Sequence, residues 1–298
     1  MSPIAIRDSA RIPAGRKVLL CADDFAISSS VSSGIEDVVA AGRLSATSSF
    51  VTFPEWPSEA NRLVGLRSKV AIGLHLNLTV GAPLGPMPVL APNGELPAIV
   101  DLVNLALRRK IDPTEIEAET FRQLTKYAEG AGMPPDYLDG HQHAHALPVI
   151  GAAVLAAIKR FSQGRSPILV RNPSDNPLRI VARRRFVRKA LKLAWLVAGF
   201  GPAARAAGHA VNDGFSGHSE YQTDRPYGPE IEASFSSSGP RHLIMCHPGY
   251  ADTLLAKRDW VTTRREQELK VLLSAEGLPE RLWRPDRSRT DLWQDWRA

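Results

Sequence analysis

Cysteine is scarce in this chain, which has only Cys21 and Cys246 among its 298 residues. Two cysteines cannot form the disulfide framework of a small secreted domain or the four-cysteine set of a structural zinc site. Each precedes a polar motif at the end of an apolar run, so we interpret both as small buried hydrophobic residues. Their number is typical of a protein from a reducing compartment.

Long hydrophobic runs are also missing. No stretch reaches the ~18 consecutive apolar residues of a membrane-spanning helix. The N-terminus has no apolar run behind a basic start, so we predict no signal peptide and expect residues 1–16 to be a disordered lead. Residues 17–290 are then predicted to form one domain around a large core. These features predict a cytoplasmic protein.

Acidic residues are absent between Asp175 and Asp213, a stretch that contains eight basic ones. Without those eight, the formal net charge of +6 would become −2. At about 100° per residue, the pattern predicts an amphipathic basic helix over Arg179–Lys192, within an insertion at about 176–215. Only Arg183 falls on the apolar face.

Such a helix suits the surface of an anionic membrane, which predicts a peripheral position at the inner membrane face. A helix packed on the domain with a solvated basic face explains the pattern equally well. Specific nucleic-acid binding is disfavoured, because no nucleic-acid-binding signature accompanies the charge. His209 and His218, just beyond, are predicted to be surface residues without a chemical role.

Strand and helix patterns alternate along the chain. The predicted strands are 18–22, 46–52, 70–78, 137–138, 168–171 and 242–246, and the predicted helices are 30–42, 112–129, 149–161 and 263–274. Repeated strand–helix units predict parallel strands with right-handed crossovers. Because polar motifs follow several of the strands, the α/β fold predicted is a (β/α) barrel with its site at the C-terminal ends of the strands.

Three apolar runs end in candidate metal ligands. Asp23-Asp24 follows the first strand, His75 lies in the third, and three histidines at alternate positions, His141, His143 and His145, follow Asp139-Gly140. A lone Asp-Asp pair is commonly a turn or cap, and a lone histidine a core residue. Three alternating histidines would share one face of a strand, where an apolar core has no use for them. One carboxylate and two imidazoles suit a divalent metal with open positions, which indicates catalysis.

Four motifs, in this order, resemble the YdjC-like carbohydrate deacetylases, which include the chitooligosaccharide deacetylases. They are Asp23-Asp24-Phe25, Ile72-Gly73-Leu74-His75, Asp139-Gly140-His141-Gln142-His143-Ala144-His145 and His247-Pro248-Gly249-Tyr250. The segments 246–252 and 264–269 resemble the hopanoid-biosynthesis branch (HpnK). The third motif has Asp-Gly-His-Gln-His where many relatives have Asp-Ser-His-His-His, so no role is carried over to Gln142.

The resemblance implies an irregular barrel and a metal-dependent hydrolase that removes the N-acetyl group of an amino sugar and releases acetate. The branch implies that the sugar is attached to a hopanoid lipid. We predict Asp24, His75 and His141 as ligands of a divalent ion, Mg²⁺ or Zn²⁺. Asp23 is the predicted general base and His247 the predicted general acid.

Several alternatives stay open. His143 and His145 compete with His247 or support the metal ligands, and Arg171 either orients Asp23, binds a substrate oxygen or forms a structural ion pair. A non-haem iron oxygenase uses a similar triad, although its usual His-x-Asp pair is absent here. A non-enzymatic lipid or nucleic-acid binder is the other rival. The predicted partner is an N-acetylated sugar or glycolipid, and a homodimer is left open.

Overall fold

One sheet of eight parallel strands organises the computed structural model, which describes residues 9–163 and 168–297. The strands are β1 (Leu19–Phe25), β2 (Ala46–Ser49), β3 (Ala71–Leu76), β4 (Tyr137–Gly140), β5 (Leu169–Val170), β6 (Ala210–Val211), β7 (Gly214–Ser216) and β8 (His242–Cys246). Their order across the sheet is β6-β5-β4-β3-β2-β1-β8-β7. The predicted parallel α/β architecture is confirmed.

The two edge strands of the sheet are neighbours in sequence, since only Asn212 and Asp213 separate β6 from β7. Such a link spans no more than about 11 Å, so the sheet curls until its edges approach each other. Within the described residues β6 and β7 form no ladder. Instead, the Asn212 side-chain amide donates to the carbonyl oxygens of Asn172 (2.8 Å) and Gly214 (3.0 Å). The molecule is therefore a barrel left open at one seam, and the predicted irregular barrel is confirmed.

Helices connect the strands. They are α1 (Ser29–Ala40), α2 (Trp56–Gly65), α3 (Ile99–Leu107), α4 (Pro113–Ala131), α5 (Ile150–Phe161), α6 (Pro177–Ala182), α7 (Val187–Leu196), α8 (Phe200–Ala206), α9 (Gly228–Ser236), α10 (Leu255–Arg258) and α11 (Thr263–Ser274). Helix α4 begins where the sequence predicts: the Asp112 carboxylate accepts the Thr114 N–H (2.8 Å), and Gly132, with φ of +68°, ends it.

The strands have two buried faces. Leu20 and Ala22 pack outward against the helices, whereas Leu19 and Cys21 point into the barrel. The same alternation carries Asp23 into the interior above Cys21. Both cysteines are buried and free, as predicted.

Both chain ends pack against the barrel. Residues 1–8 lie outside the described residues, but Ala10 and Ile12 are buried, and the Ile12 N–H donates to the Glu276 carbonyl (2.8 Å). The predicted disordered lead is therefore wrong for its second half, because these apolar side chains find a buried place beside α11. At the other end, beyond residue 290, Trp293 is buried and its indole N–H donates to the Asp136 carbonyl (2.6 Å).

The basic segment is not one helix. The chain breaks between α6 and α7 at residues 183–186, where Arg184 and Phe186 have φ of +58° and +51°. The Arg183 side chain is buried, pairs with Asp175 and donates to the Phe215 carbonyl (3.1 Å). The predicted helix over Arg179–Lys192 is therefore wrong, because burial of Arg183 stops the helix where the amphipathic pattern has its exception.

No helix within the described residues is both long enough and apolar enough to cross a membrane.

Candidate active site

A cavity of 260 Å³ lies at the C-terminal ends of the strands. Its walls are formed by Asp23, Asp24, His75, Ile99, His141, Gln142, His143, Lys189, Tyr221, Met245, His247, Asp259, Trp260 and Val261. All five predicted site residues, Asp23, Asp24, His75, His141 and His247, are among them. Residues more than 220 positions apart in sequence therefore meet in one cavity.

An irregularity in β1 brings two adjacent carboxylates to the cavity. The register between β1 and β2 shifts between Ala22 and Phe25, which is a β-bulge, and Asp24 has φ of +71°. A regular strand would send Asp23 and Asp24 to opposite faces. The bulge turns Asp24 back, so both carboxylates reach the interior.

Asp24, His75 and His141 form a compact group of candidate ligands. The Asp24 Oδ1 atom lies 3.0 Å from His75 Nε2 and 3.0 Å from His141 Nδ1, and the two nitrogens are 3.4 Å apart. Two ligands that each bind one ion at about 2.1 Å, with an angle near 90–109°, are about 3.0–3.4 Å apart. The three atoms therefore fit around a single metal ion.

The charges around this group also fit a cation. Four carboxylates with little exposure to solvent, those of Asp23, Asp24, Asp139 and Asp259, share two guanidinium partners in the described part of the chain, Arg171 and Arg265. With neutral histidines, the cluster has a formal charge of −2. Buried charge is costly unless it is compensated, and a divalent ion would supply the compensation.

Asp139 orients His75. Its Oδ1 lies 2.7 Å from His75 Nδ1, and its Oδ2 accepts the Ser48 hydroxyl (2.9 Å). Burial lowers the pKa of His75, but the Asp139 and Asp24 carboxylates outweigh it and raise this pKa to about 10. With Nδ1–H bound to Asp139, a metal ion would replace the proton on Nε2, the arrangement common for histidine ligands.

Arg171 holds the second carboxylate of the Asp-Asp pair. Its Nη1 and Nη2 atoms each donate to one oxygen of Asp23, both at 2.6 Å, and Nη2 also pairs with Asp139 and contacts Cys21 Sγ (3.1 Å). Cys21, Asp23 and Asp139 form a second group of ligand-type side chains. The Arg171 guanidinium occupies the centre of that group, so it is an ion-pair site and not a metal site.

His247 follows β8 on the cavity wall. Its backbone N–H donates to Glu268 Oε2 (2.6 Å), while its buried Nδ1 has no hydrogen-bond partner among the described residues. Burial lowers the pKa of His247 to about 4, against the opposing effect of the Asp24 and Asp23 carboxylates. The imidazole is therefore neutral at pH 7 and can accept a proton.

The three alternating histidines do not share a face. β4 ends at Gly140, and residues 141–146 form a 3-10 helix in which Gln142 and His143 have φ of +52° and +63°. His141 and His143 reach the cavity, but the His145 Nε2–H donates to the Arg171 carbonyl (2.8 Å) and its ring packs against Phe200. The prediction of a common strand face is wrong because the strand has already ended.

The other two predicted surface histidines are also less exposed than expected. His209 is buried, and His218 is partly buried with its ring against Phe215.

Several residues of the cavity belong to no motif that sequence analysis could detect. Arg265 links the candidate ligand Asp24 to the loop at Asp259, since its Nη2 donates to Asp24 Oδ2 (2.6 Å) and to Asp259 Oδ2 (2.5 Å). Tyr221 lies edge-on between His247 and Trp260, with ring centroids 5.3 and 5.5 Å away. Lys189 enters from α7, with its Nζ donating to the Ser219 carbonyl (2.6 Å).

The profile of the family described as YdjC-like protein matches residues 17–278, most of this chain. The chain belongs to the YdjC-like family. The resemblance of its four motifs is thereby confirmed at the level of the family.

Relatives of this YdjC-like protein have names that describe deacetylation. A carbohydrate deacetylase of Halalkalibacterium halodurans is 27% identical over 86% of this chain and 94% of its own length. A chitooligosaccharide deacetylase of Salmonella typhi is 26% identical over 91% and 97%. Among solved structures, a candidate cellobiose-phosphate cleavage protein of Enterococcus faecalis has a TM-score of 0.63 at 20% identity, covering 88% of this chain and 92% of that one. That structure supports the fold.

Proposed function

We propose that this protein is a metal-dependent hydrolase that removes the N-acetyl group of an amino sugar and releases acetate. The observation that carries the proposal is the meeting of Asp24, His75 and His141 at one point of the cavity, with Asp23 and His247 on its walls. The names of the two relatives support the reaction class and favour it over the oxygenase and non-enzymatic alternatives.

The donor set favours zinc over magnesium. Two imidazoles and one carboxylate suit Zn²⁺, whereas Mg²⁺ prefers oxygen ligands. Asp24, His75 and His141 would hold the ion and leave positions for water and the acetamide. When bound, the ion would act as a Lewis acid on the acetamide carbonyl and make water a better nucleophile.

Asp23 is the proposed base. Its two oxygens are fixed by Arg171 through paired N–H bonds, and each retains a lone pair that can accept a proton from water. Because Arg171 is buried and also bound by Asp139, it cannot swing away from Asp23. This arrangement favours the orienting role for Arg171 among the three left open by the sequence.

His247 is the proposed acid, and it must acquire its proton during the reaction. The resting imidazole is neutral because burial lowers its pKa to about 4. Negative charge that develops on the substrate carbonyl would raise this pKa, as the nearby carboxylates already do. The proton taken from water by Asp23 can then reach the departing amine through His247.

The experiment that tests this function is acetate release from a panel of N-acetylated sugars and glycolipids by metal-loaded protein. We expect release to stop when the metal is removed by a chelator and to return when Zn²⁺ is added. Release that is unchanged in the fully metal-free protein would refute the metal-dependent mechanism. Absence of release from every substrate would refute the deacetylase assignment.

A finer proposal concerns the acceptor that carries the sugar. We infer a lipid, with a hopanoid glycolipid as the specific candidate. Helix α6 exposes Leu178 and Val181, α7 exposes Trp195, and the basic side chains of Arg188 and Lys192 are exposed on the same segment. Exposed apolar and basic side chains together suit an anionic membrane surface. Because Lys189 of α7 lines the cavity, a membrane bound by this segment would lie near the active site.

A further inference from the structure

Trp260 is an exposed tryptophan at the wall of the catalytic cavity. Its side chain is 68% exposed, and its ring meets the edge of Tyr221 at 5.5 Å. Of the six tryptophans in the sequence, only Trp195 is similarly exposed, at 72%, and it is not part of the cavity wall. An indole exposed to water does not contribute the stability that its burial would give. The exposed ring of Trp260 beside the cavity is therefore available to contact a ligand.

The loop that carries Trp260 is held on both sides. Arg265 Nη2 donates to Asp259 Oδ2 (2.5 Å), Arg265 Nε donates to the Val261 carbonyl (2.8 Å), and the Val261 N–H donates to Asp259 Oδ1 (3.0 Å). Arg265 is itself fully buried and bound to the candidate ligand Asp24. One side chain therefore fixes the loop and one metal ligand in a single arrangement, which is the preorganisation that substrate positioning needs.

The cavity is small for an extended substrate. Its volume of 260 Å³ lies below the ~300–1,000 Å³ typical of pockets for drug-sized ligands. A volume of this size suits one sugar ring better than two. A longer substrate must extend beyond the mouth of the cavity. Trp260 lies there, and the ring of Tyr221 separates it from His247.

We propose that Trp260 is a specificity-determining residue on which the ring next to the reacting N-acetyl sugar stacks. The axial C–H bonds of a pyranose give it an apolar face that matches the indole, while its hydroxyl groups remain in water. The substrate class is accordingly a glycan of at least two sugar rings, free or attached to the proposed lipid, and Arg265 is the residue that positions the loop. This inference rests on the proposed deacetylation.

The test compares Trp260→Ala with the matched control Trp195→Ala on an N-acetylated monosaccharide and disaccharide. We expect Trp260→Ala to raise KM for the disaccharide by about 3- to 10-fold with kcat nearly unchanged, the scale of one aromatic contact. KM for the monosaccharide should change much less than KM for the disaccharide. Trp195→Ala should match the unmodified protein on these two water-soluble substrates, which do not need the membrane contact proposed for that residue. Trp260→Phe should restore most of the disaccharide affinity. An unchanged disaccharide KM in Trp260→Ala, or a loss of kcat alone, would overturn the proposal.

A binding measurement separates this inference from the proposed function. Disaccharide binding by calorimetry to Asp23→Asn, with and without Trp260→Ala, requires no turnover. Weaker binding on loss of the indole, together with no acetate release by the unmodified metal-loaded protein, would support stacking and refute deacetylation. Equal affinities, or an absence of disaccharide binding, would refute stacking, whereas acetate release by the unmodified protein would leave the proposed function standing.

The Arg265→Lys variant tests the positioning role of Arg265 separately. Lysine keeps the charge but lacks the planar fork that reaches Asp24, Asp259 and the Val261 carbonyl together. We expect a lower metal affinity and a higher disaccharide KM in the same variant, whereas Trp260→Ala changes KM alone. Normal metal affinity in Arg265→Lys would refute the positioning role.

Discussion

Left-handed backbone conformations concentrate around the cavity. Asp24, Gln142, His143 and Tyr221 all have positive φ, between +52° and +71°, and all line the cavity wall. Such conformations cost about 1–2 kcal/mol per residue, somewhat less for aspartate, asparagine and histidine. They persist because ion pairs and packing over-determine them. The active site is therefore built at the expense of local backbone stability.

Single substitutions test the proposed metal ligands. We expect Asp24→Asn, His75→Ala and His141→Ala each to lose bound metal while the fold survives, because only three protein ligands surround the site. Asparagine is chosen at position 24 because it tolerates positive φ almost as well as aspartate. Metal content by mass spectrometry and circular dichroism measure the two outcomes. Asp101→Asn, an exposed carboxylate on α3, is the control, and full occupancy in any ligand variant would exclude that residue.

Substitutions of Asp23 and Asp139 should affect different properties, turnover and metal affinity respectively, although both carboxylates bind Arg171. Asp23→Asn is expected to keep the metal and lower turnover by about 10²-fold or more, the scale of a lost general base. Asp139→Asn is expected to weaken metal affinity by about 10- to 100-fold, since it orients His75. Metal titration and kcat on one substrate measure both. Near-normal turnover of metal-replete Asp23→Asn would exclude it as the base.

Glu268 should make stability depend on pH. Burial raises its pKa to about 7, above the ordinary value of 4.5, despite the opposing His247 N–H and Arg264. A raised carboxyl pKa means that the folded protein holds the proton more tightly than the unfolded one. Its contribution to stability is therefore present below pH 4.5 and lost as the pH rises through 7.

Glu268→Gln removes this dependence while keeping an acceptor for the His247 N–H. The variant should match the unmodified protein near pH 4.5 and exceed its free energy of unfolding by up to about 3 kcal/mol above pH 8. Urea denaturation across this range measures the difference. Glu266→Gln, exposed on the same helix, should show no such trend, and a constant difference for Glu268→Gln would contradict the argument.

The secondary-structure elements that could be predicted are those whose hydrophobic pattern and capping residues lie within the element itself. The β8 strand and α11 have the predicted bounds, and α4 begins at its predicted cap, because hydrophobic period and capping residues lie within the element itself. The break at residues 183–186 has another cause. The partner that buries Arg183 is Asp175, which lies outside the helical pattern, so periodicity alone could not predict the break.

The basic segment is the element whose function can be tested directly. Reversing Arg184, Arg188 and Lys192 to glutamate should abolish binding to anionic liposomes, because each basic residue contributes about 1 kcal/mol near such a surface. Hydrolysis of a small water-soluble substrate should survive, and hydrolysis of a lipid-linked one should fall. Liposome co-sedimentation and acetate release measure these effects.

The matched control places the same charge change on the opposite end of the barrel, at Arg11, Arg16 and Lys17, which are exposed before β1. Equal loss of binding in both triple variants would show a bulk charge effect. Absence of liposome binding in the unmodified protein would remove the membrane contact and leave the deacetylase proposal standing.

The candidate site combines distant segments of the chain that only the curled sheet brings together. The motifs at Asp24, His75 and His141 could be predicted from sequence because each is a metal-binding residue type at a strand end. Arg265 could not, since it approaches Asp24 from 241 positions away through the packing of α11 on the barrel. Trp260 was missed for the same reason, because a loop tryptophan shows no pattern until its neighbours are known.

The contribution of Asn212 at the open seam of the barrel can be tested by substitution. Asn212 is fully buried, and besides its two donated bonds its Oδ1 accepts the Asn172 N–H (2.7 Å), so it links the ends of β5 and β6 to the start of β7. Asn212→Ala would leave these backbone groups without partners, which should cost about 2–4 kcal/mol of unfolding free energy. Because Asn172 follows Arg171, turnover should also fall at temperatures where the variant is still folded.

Thermal unfolding and kcat measure both effects against Asn104→Ala, an exposed amide on α3. A stability equal to that control would show that the barrel holds its shape without the seam contact.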